Sequence, residues 1–448
     1  MTHALPTYPA YRHSGVERLG EIPAHWEVKR LKHAVQINTV TLPENTDPEY
    51  PLRYVDIGNV DTNGRILNAE EMTFAAAPSR ARRRVQPGDT IISTVRTYLK
   101  AIAFVEDNAE DLIVSTGFAT LTPEAVALPK FLWRAVQSDY FVNAVVAHSE
   151  GVGYPAITPS NLASLPVWLP PLPEQHAIAA FLDRETARLD ALIAKKERLL
   201  ALLAEKRAAL ISHAVTKGLD PNAPMQDSGV AWLGEIPAHW KVKRLKFLAS
   251  HLTAGPFGSS LTKDLYTQSG YRVYGQEQVI PGDFTVGDYY IAEELYRLMS
   301  QYAVAPGDVL ISCVGTFGKV AVVPLDAEPG VINPRLIKVA PDRNRIVPEY
   351  LGAVLKSGVS FGQFEQASRG GTMGVINLGL ISEILIPVPP LSEQQVILEE
   401  SDSTTRRLDS LLAKVRAAID TLREYRAALI SAAVTGKIDV RGEAAVHE

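Results

Sequence analysis

The sequence has little cysteine and no long hydrophobic run. Its one cysteine, Cys313, excludes an intrachain disulfide and any metal site made of several cysteines. No apolar stretch approaches the ~18–20 residues that a membrane-spanning helix needs, and residues 1–10 lack the apolar centre of a secretory signal. We therefore expect a cytoplasmic protein that does not enter a membrane.

The chain also lacks a surplus of positive charge. It contains 45 lysines and arginines against 50 aspartates and glutamates, a formal net charge of −5. Domains that bind nucleic acid often have a pI above about 9. If this chain binds DNA, its basic residues must be clustered locally, or a partner must share the contact with phosphates.

No catalytic or metal-binding motif is complete. Lys319 lies in a glycine-containing stretch, but Cys313 and Val320 replace the first glycine and the Ser/Thr of a phosphate-binding loop. The tetrapeptide at 333–336, Asn-Pro-Arg-Leu, lacks the second proline and the aromatic residue of the adenine methyltransferase motif. The ten histidines are scattered, without metal-ligand spacing. We therefore predict no catalytic residue, no metal and no cofactor, which favours a recognition scaffold over an enzyme.

An internal repeat is the strongest feature that is present, and such a repeat bears on the whole architecture. Residues 14–32 and 228–246, here called the leading segments, are identical at 16 of 19 positions. A second pair, the closing segments, begins at Pro170 and Pro389 with Pro-Pro-Leu-x-Glu-Gln. Both closing segments contain the hexapeptide Arg-Ala-Ala-Leu-Ile-Ser, at 207–212 and 426–431. Because the stretches between them diverge, each half has a shared start, a variable middle and a shared end.

The closing segments predict two long helices. Residues 174–215 and 392–434 contain no glycine or proline and are rich in strong helix formers, and Gly218 and Gly436 supply the stops. Alternating steps of three and four residues indicate heptad stripes, which would bury the helices against each other as antiparallel rods of roughly 60 Å. The alternative is two unrelated surface helices, each packed on its own domain. The predicted stripes are Leu189, Leu192, Lys196, Leu199, Leu203, Lys206 and Leu210, and Leu408, Leu411, Val415, Ala418, Leu422, Tyr425 and Leu429.

The variable middles predict mixed α and β structure. Short runs rich in β-branched residues, at 90–95, 309–314 and 319–323, lie beside Pro-Gly-Asp or glycine turns and indicate strands. The stretches 129–146 and 348–364 that follow them are helical in pattern. We therefore expect an α+β fold in each half.

The Gly-Glu-Ile-Pro-Ala-His-Trp of both leading segments, together with the repeated closing-segment motifs, resembles the specificity subunits of type I restriction-modification systems. The resemblance covers nearly the whole chain. It implies two target recognition domains in a pseudo-two-fold arrangement, separated by two long antiparallel coiled-coil helices. The implied boundaries are 1–168 and 219–387 for the recognition domains, and 169–218 and 388–440 for the helical regions.

The same resemblance implies a function. Such subunits bind a bipartite, asymmetric target in double-stranded DNA and carry no activity themselves. They place two adenine methyltransferase subunits, and often two ATP-dependent endonuclease-translocase subunits, on that target. Two readers on a common scaffold would explain why the middles differ while the scaffold repeats. The competing interpretations are a stand-alone DNA-binding regulator or coiled-coil adaptor, and a methyltransferase with degenerate motifs.

Candidate DNA contacts in the first half lie in three places. Arg82 and Arg83 belong to a basic run that could hold phosphates, although a solvated helix or loop would have the same composition. Arg96 and Lys100 follow a predicted strand, where polar side chains on the connecting loop favour DNA contact. Tyr154 ends a glycine-rich loop of the kind that the resemblance implies to face DNA.

The second half offers candidates of similar kinds. Its post-strand loop aligns with that of the first half at an offset of 219. A Gly-Pro-Phe-Gly-Ser loop would let the backbone approach phosphate, unless it is a plain turn, and a glutamine amide could pair with an adenine edge in the major groove. A second glycine-rich loop precedes the second closing segment. In this order, the candidates are Thr316 and Lys319, then Ser259, then Gln276, then Arg369 and Thr372.

The repeated tryptophans are interpreted as structural. Trp26 and Trp240, each preceded by a histidine, lie in the leading segments, and buried aromatic residues usually pack. We expect each to dock its leading segment beside the end of a long helix. The N-terminal leading segment would then lie near the end of the second helix, which makes the chain pseudo-circular.

Overall fold

The computed structural model describes residues 5–16, 18–106, 109–151, 153–257, 260–316, 318–358, 360, 362–363 and 377–444. The chain divides into two compact units. Unit 1 contains Met1–Glu197 and Ala417–Glu448, and unit 2 contains Arg198–Arg416. Each unit therefore holds one variable middle together with parts of both closing segments.

Two four-stranded sheets form the variable middle of unit 1. The first is antiparallel, in the order Val35–Ile37, Phe118–Pro123, Thr90–Ser93, Ile102–Phe104. The second has two parallel central strands, in the order Glu70–Thr73, Pro51–Val55, Leu112–Ser115, Ala81–Arg84. Two ribbons pair Tyr11–His13 with Glu21–Pro23 and Glu27–Arg30 with Pro166–Leu169.

The helix predicted over 129–146 is divided in two. Helices Pro129–Gln137 and Asp139–Ala147 meet at Ser138, whose hydroxyl accepts a hydrogen bond from the backbone N–H of Phe141 at 3.4 Å. A serine in this N-cap position starts a new helix, so the helical stretch predicted at 129–146 is confirmed as two helices. Unit 1 also contains the α-helix Pro159–Ser164 and the 3-10 turns Leu31–His33, Ile57–Asn59, Thr97–Leu99 and Arg441–Ala444.

Unit 2 contains a sheet like the first sheet of unit 1 and a smaller second one. The antiparallel sheet has the order Ala249–Ala254, Leu336–Pro341, Val309–Ser312, Val320–Val322. The second has the order Tyr290–Ile291, Tyr271–Tyr274, Gly330–Ile332, and its last two strands are parallel. Two ribbons pair Met225–Asp227 with Glu235–Pro237 and Lys241–Arg244 with Leu385–Val388.

The shorter helices of unit 2 connect these strands. In the part of unit 2 that the structure describes, they include the α-helices Gln276–Val279, Glu293–Leu298, Pro348–Lys356 and Leu378–Ser382 and the 3-10 turns Leu245–Phe247, Lys263–Leu265 and Ser300–Tyr302. The strands predicted at 90–95, 309–314 and 319–323 are confirmed as Thr90–Ser93, Val309–Ser312 and Val320–Val322. The first two are buried along their whole length, as expected for central strands with few charged residues.

The two predicted long helices are confirmed. The first spans Leu172–Lys217 and has 46 residues, and the second spans Leu391–Val434 and has 44. Gly218 and Gly436 follow them with φ of 76° and 71°, a left-handed conformation that ends a helix. In the described part of the chain, no helix combines the length and apolarity needed to cross a membrane.

Within unit 1 the two long helices run antiparallel. Asp190 pairs with Arg426 at 2.9 Å, and further along the first helix Glu197 pairs with Arg423 at 2.8 Å. Residue numbers therefore rise on one helix while they fall on the other. Unit 2 contains the matching pair of Arg207 and Asp409, at 2.8 Å. These contacts exclude the alternative of two unrelated surface helices.

The predicted heptad stripes are only partly right. Leu189 and Val415 are buried as predicted, but Leu192 and Leu411 are each 42% exposed. In both helices, every second position of the predicted stripe is wrong, and the residue that faces inward is the next one along the chain. The predicted stripes step first by three and then by four residues, whereas the inward positions step first by four and then by three. Arginines at two of these positions pair with aspartates of the facing helix. The later positions are Ile193, Leu200 and Arg207 in the first helix and Leu412, Ile419 and Arg426 in the second.

Candidate nucleic-acid interface

A strained turn follows the strand Thr90–Ser93 in unit 1. Arg96 has φ 50° and ψ 47°, the 3-10 turn Thr97–Leu99 follows, and Lys100 has φ 53° and ψ 33°. Both residues are left-handed, which costs a residue with a side chain roughly 1–2 kcal/mol. The backbone N–H of Arg96 donates to the carbonyl of Pro155 at 2.8 Å. The hydroxyl of Thr97, which is buried, bonds that of Ser149 at 3.0 Å.

The side chains of Arg96 and Lys100, at the two ends of this turn, lie at the surface. The guanidinium of Arg96 lies 4.7 Å from the ring centroid of Tyr154, which is 68% exposed. This is a cation–π contact. Lys100 instead pairs with Asp139, at 3.0 Å. The structure thus brings together three of the predicted contacts, Arg96, Lys100 and Tyr154, on one surface of unit 1.

Left-handed residues also follow the matching strand Val309–Ser312 in unit 2. Here they are glycines, Gly315 with φ 68°, which aligns with Arg96, and Gly318 with φ 72°, which aligns with Leu99. Thr316 and Lys319 are exposed, as their prediction as DNA contacts requires. The hydroxyl of Ser312 donates to the carbonyl of Thr316 at 2.5 Å, which closes the turn from inside.

The basic run near Arg82 forms a strand, Ala81–Arg84, and not the solvated helix or loop that was the alternative to a phosphate contact. Its alternation turns side chains to both faces of the sheet. Arg82 donates to the carbonyl of Ala81 and lies 4.5 Å from the ring centroid of Phe74. Arg83 donates to the hydroxyl of Thr41 at 3.4 Å, and burial lowers the pKa of Arg83. Both arginines are therefore partly engaged inside the domain.

Gln276 is the first residue of the helix Gln276–Val279 and is also engaged. Its amide nitrogen donates to the hydroxyl of Ser312 and to the carbonyl of Val314, each at 2.6 Å. Paired recognition of adenine needs both the amide N–H and the amide oxygen. Reading an adenine edge with Gln276 would therefore require these two internal bonds to be given up.

Three predicted contacts, Ser259, Arg369 and Thr372, lie outside the described residues. The same holds for Phe317, within the turn of unit 2. Among the residues that are described, no group of three or more His, Cys, Asp or Glu side chains could hold a metal ion.

The docking of the leading segments was predicted, but the glutamates that hold them were not. Glu174, in the first turn of the first long helix, accepts from Trp26 Nε1 at 2.9 Å and contacts His25 at 2.8 Å. The hydroxyl of Tyr8 donates to the same carboxylate at 2.5 Å, and burial together with this bond raises the pKa of Tyr8. The repeated Glu-Gln dipeptide was the sequence signal for this contact.

In unit 2, Glu393 accepts from Trp240 at 3.0 Å and contacts His239 at 2.7 Å. The chain termini of unit 1 also meet as expected. The backbone N–H of Asp439 donates to the carbonyl of Pro6 at 2.7 Å, and Tyr11 donates to the carbonyl of Gly436 at 3.0 Å. The pseudo-circular path is therefore confirmed within unit 1.

Arg134 was missed because a lone arginine in a short helix carries no motif. It is 4% exposed and its guanidinium lies 3.8 Å from the ring centroid of Trp133. It donates to the hydroxyl of Thr186 on the first long helix at 3.1 Å and lies 3.7 Å from Asp183. Burial, followed by the nearby charge of Arg426, lowers the pKa of Arg134 to about 10. This arginine attaches the variable middle of unit 1 to the scaffold.

Two units of related architecture, each with a strand-turn surface and parts of two antiparallel helices, define a duplicated recognition scaffold. The family described as the type I restriction modification DNA specificity domain matches residues 23–201 and 239–419, which is most of both halves. The chain therefore belongs to the family of type I restriction-modification specificity subunits.

Curated relatives support this assignment. The EcoBI specificity subunit of Escherichia coli is 22% identical over 320 residues, which cover 70% of this chain and 67% of the relative. The EcoKI specificity subunit of Escherichia coli K12 is 22% identical over 336 residues, covering 72% and 68%. Both are named as specificity subunits of type I restriction enzymes.

Solved structures show the same fold. One is a chain from a structure titled for complex assembly and conformational transition of the type I R-M system. It is 24% identical in sequence, with a TM-score of 0.72, and the match covers 93% of this chain and 99% of that one. The HsdS subunit from Thermoanaerobacter tengcongensis is also 24% identical, with a TM-score of 0.51, covering 93% and 98%.

Proposed function

We propose that this specificity subunit reads a bipartite, asymmetric target in double-stranded DNA, with one half-site for each variable middle. The observation that carries the proposal is the pair of matching turns. They follow corresponding strands of the two antiparallel sheets and share a threonine and a lysine, but Arg96 of the first turn is replaced by Gly315 in the second. Matching turns that differ in such a side chain suit two readers of different base sequences.

The proposed recognition domains are residues 1–168 and 219–387, joined to the helical regions 169–218 and 388–440. Arg96, Tyr154, Thr316 and Lys319 are exposed and are the foremost proposed DNA contacts. Side chains already bonded within the chain would contact DNA only by exchanging partners. Those are Arg82, Arg83, Lys100 and Gln276, while Ser259, Arg369 and Thr372 remain predictions from the sequence.

The proposed partners are two adenine methyltransferase subunits and two ATP-dependent endonuclease-translocase subunits, acting in the cytoplasm. The named relatives, which are specificity subunits of type I restriction enzymes, support methyltransferase and restriction partners. The number of two for each follows from the duplication, because each half offers the same leading and closing segments to a partner. A partner that also grips phosphates would account for the net charge of −5.

The proposal is tested by exchanging one reader. Residues 33–150 are replaced by the corresponding stretch of another specificity subunit, and the protein is produced with its methyltransferase partner in a host whose methylated sites are then sequenced. We expect one half-site to change while the other half-site and the gap between them stay the same. A change in both half-sites, or methylation independent of this chain, would contradict the division into two readers.

A further inference from the structure

The turn that carries Arg96 is the only place in the described chain where two non-glycine residues within five positions are left-handed. Arg18 and Asn38 are also left-handed, but neither has a second left-handed non-glycine residue near it in the described sequence. Side chains in this conformation are unfavourable, and strain of this kind concentrates at functional sites. Both strained residues of the turn, Arg96 and Lys100, are basic and exposed.

The second half shows that the left-handed position of Arg96 does not need an arginine side chain. At the position of Arg96, the same turn of unit 2 has Gly315, which adopts φ 68° without a side-chain penalty and has open space around it. An arginine in the first half therefore opposes the local backbone preference. Such an arginine is expected where its side chain has a role outside the turn.

The guanidinium of Arg96 is held in place by a ring contact, but its N–H groups donate to no other described residue. It lies over the ring of Tyr154 at 4.7 Å, and among the described residues it has no side-chain hydrogen bond or ion pair. Arg82, Arg83 and Lys100, by contrast, all bond to neighbours. Stacking on one face leaves the donors at the edge of the planar group free, which is the edge that forms a paired contact.

We propose that Arg96 reads a guanine of the half-site bound by unit 1, donating to its O6 and N7 in the major groove while Tyr154 holds the guanidinium plane. This pairing is the commonest specific contact of arginine with a base. The inference rests on the proposed function and sharpens it. It assigns the contact to one side chain and predicts that the other half-site lacks an equivalent, because glycine occupies the matching position.

The test uses the complete complex with its methyltransferase partner and the target found by methylome sequencing. Binding is measured by fluorescence anisotropy on target duplexes in which each G·C pair of the first half-site is replaced in turn by A·T. Arg96→Gly, Arg96→Lys and Tyr154→Leu are compared with wild type. Thr316→Ala, on the matching turn of unit 2, is the control. Arg96→Gly should melt no lower than wild type, since glycine fits the left-handed position.

We expect wild type to discriminate against one such replacement by roughly 10- to 100-fold. Arg96→Gly should reduce this preference to below about 3-fold, with other positions unchanged. Arg96→Lys should lose most of it, because lysine has no planar fork, and Tyr154→Leu should lose part of it. Thr316→Ala should leave the first half-site as in wild type. Sequencing of methylated sites should show the same base relaxed in the Arg96→Gly motif.

Two results would overturn the inference while leaving the proposed function intact. One is discrimination that is unchanged in Arg96→Gly. The other is a uniform loss of affinity for all sequences, restored by Arg96→Lys and accompanied by a smaller salt dependence, which would identify a phosphate contact. Failure of the proposed function itself is distinguishable, because the wild-type complex would then show no preferred sequence.

Discussion

The two units share a scaffold but attach their variable middles to it differently. In unit 1, the buried Arg134 joins the helix Pro129–Gln137 to Thr186 of the first long helix. At the matching position of unit 2, an offset of 219, the residue is Ala353. Unit 2 uses a different polar contact, in which the hydroxyl of Tyr350 donates to the carbonyl of Val215 on the first long helix at 3.1 Å.

The docking of the leading segments also differs between the two units. The side chain of Glu174 is 5% exposed and has three partners, whereas that of Glu393 is 30% exposed and has two. The additional partner is Tyr8, which lies where the two chain termini meet. A near-identical sequence motif therefore acquires a more polar, more buried contact in one unit because of the chain that packs over it.

The largest expected effects test where the units are alike. Leu189→Ala in unit 1 and Leu412→Ala in unit 2 each remove a buried side chain and should each lower the free energy of unfolding by about 2–5 kcal/mol. Leu192→Ala and Leu411→Ala, at exposed neighbours, should each cost below about 1 kcal/mol. Urea denaturation followed by tryptophan fluorescence measures all four. If Leu192→Ala lowered the free energy of unfolding as much as Leu189→Ala, or Leu411→Ala as much as Leu412→Ala, the stripe predicted from the sequence would be supported instead.

An intermediate effect tests where the units differ. Arg134→Ala removes the contact with the ring of Trp133 and the bond to Thr186, and should cost about 2–4 kcal/mol. Hydrogen exchange should quicken at Pro129–Gln137 and stay unchanged at the matching helix Pro348–Lys356. Arg188→Ala, on the same long helix but exposed, serves as the control and should cost below about 0.5 kcal/mol. Arg134 would have no attaching role if both variants behaved alike.

The smallest expected effect tests the docking of the leading segments. Glu174→Ala leaves the buried Trp26 indole and the Tyr8 hydroxyl without their acceptor, and should cost about 2–3 kcal/mol. Glu393→Ala should cost about 1–2 kcal/mol, because water can reach part of its site. Thermal unfolding of both variants measures the difference, with Glu399→Ala, an exposed change on the second long helix, as control. A larger loss in Glu393→Ala would reverse the order inferred from burial.

Much of the scaffold could be predicted from local features. The Pro-Pro-Leu starts and the glycine stops bounded both long helices within a few residues, because caps and breakers act on their immediate neighbours. The leading segments were expected beside the helix ends because the repeat brings the same tryptophan to both. The break at Ser138 was missed, since a serine within an apolar helical pattern gives little signal for a new N-cap.

The candidate interface could be predicted only in part. The strand before Arg96 was evident from its β-branched residues, which placed Arg96 and Lys100 on the connecting turn. That Tyr154 lies under Arg96 could not be read from the sequence, because 58 positions separate them. The internal bonds of Gln276 and Arg83 likewise depend on partners far along the chain.

The sequence by itself determined the duplication, the two long helices, the strands and the leading segments that dock on the helix ends, because repetition, periodicity and capping are local properties. Only the tertiary structure decided which alternate helix positions face inward, which arginine is buried, and which side chains of the turns remain free. Those outcomes depend on packing and pairing between segments distant in sequence. The residues next to an arginine in the sequence do not reveal whether it is buried within a domain, paired across two helices or exposed on a turn.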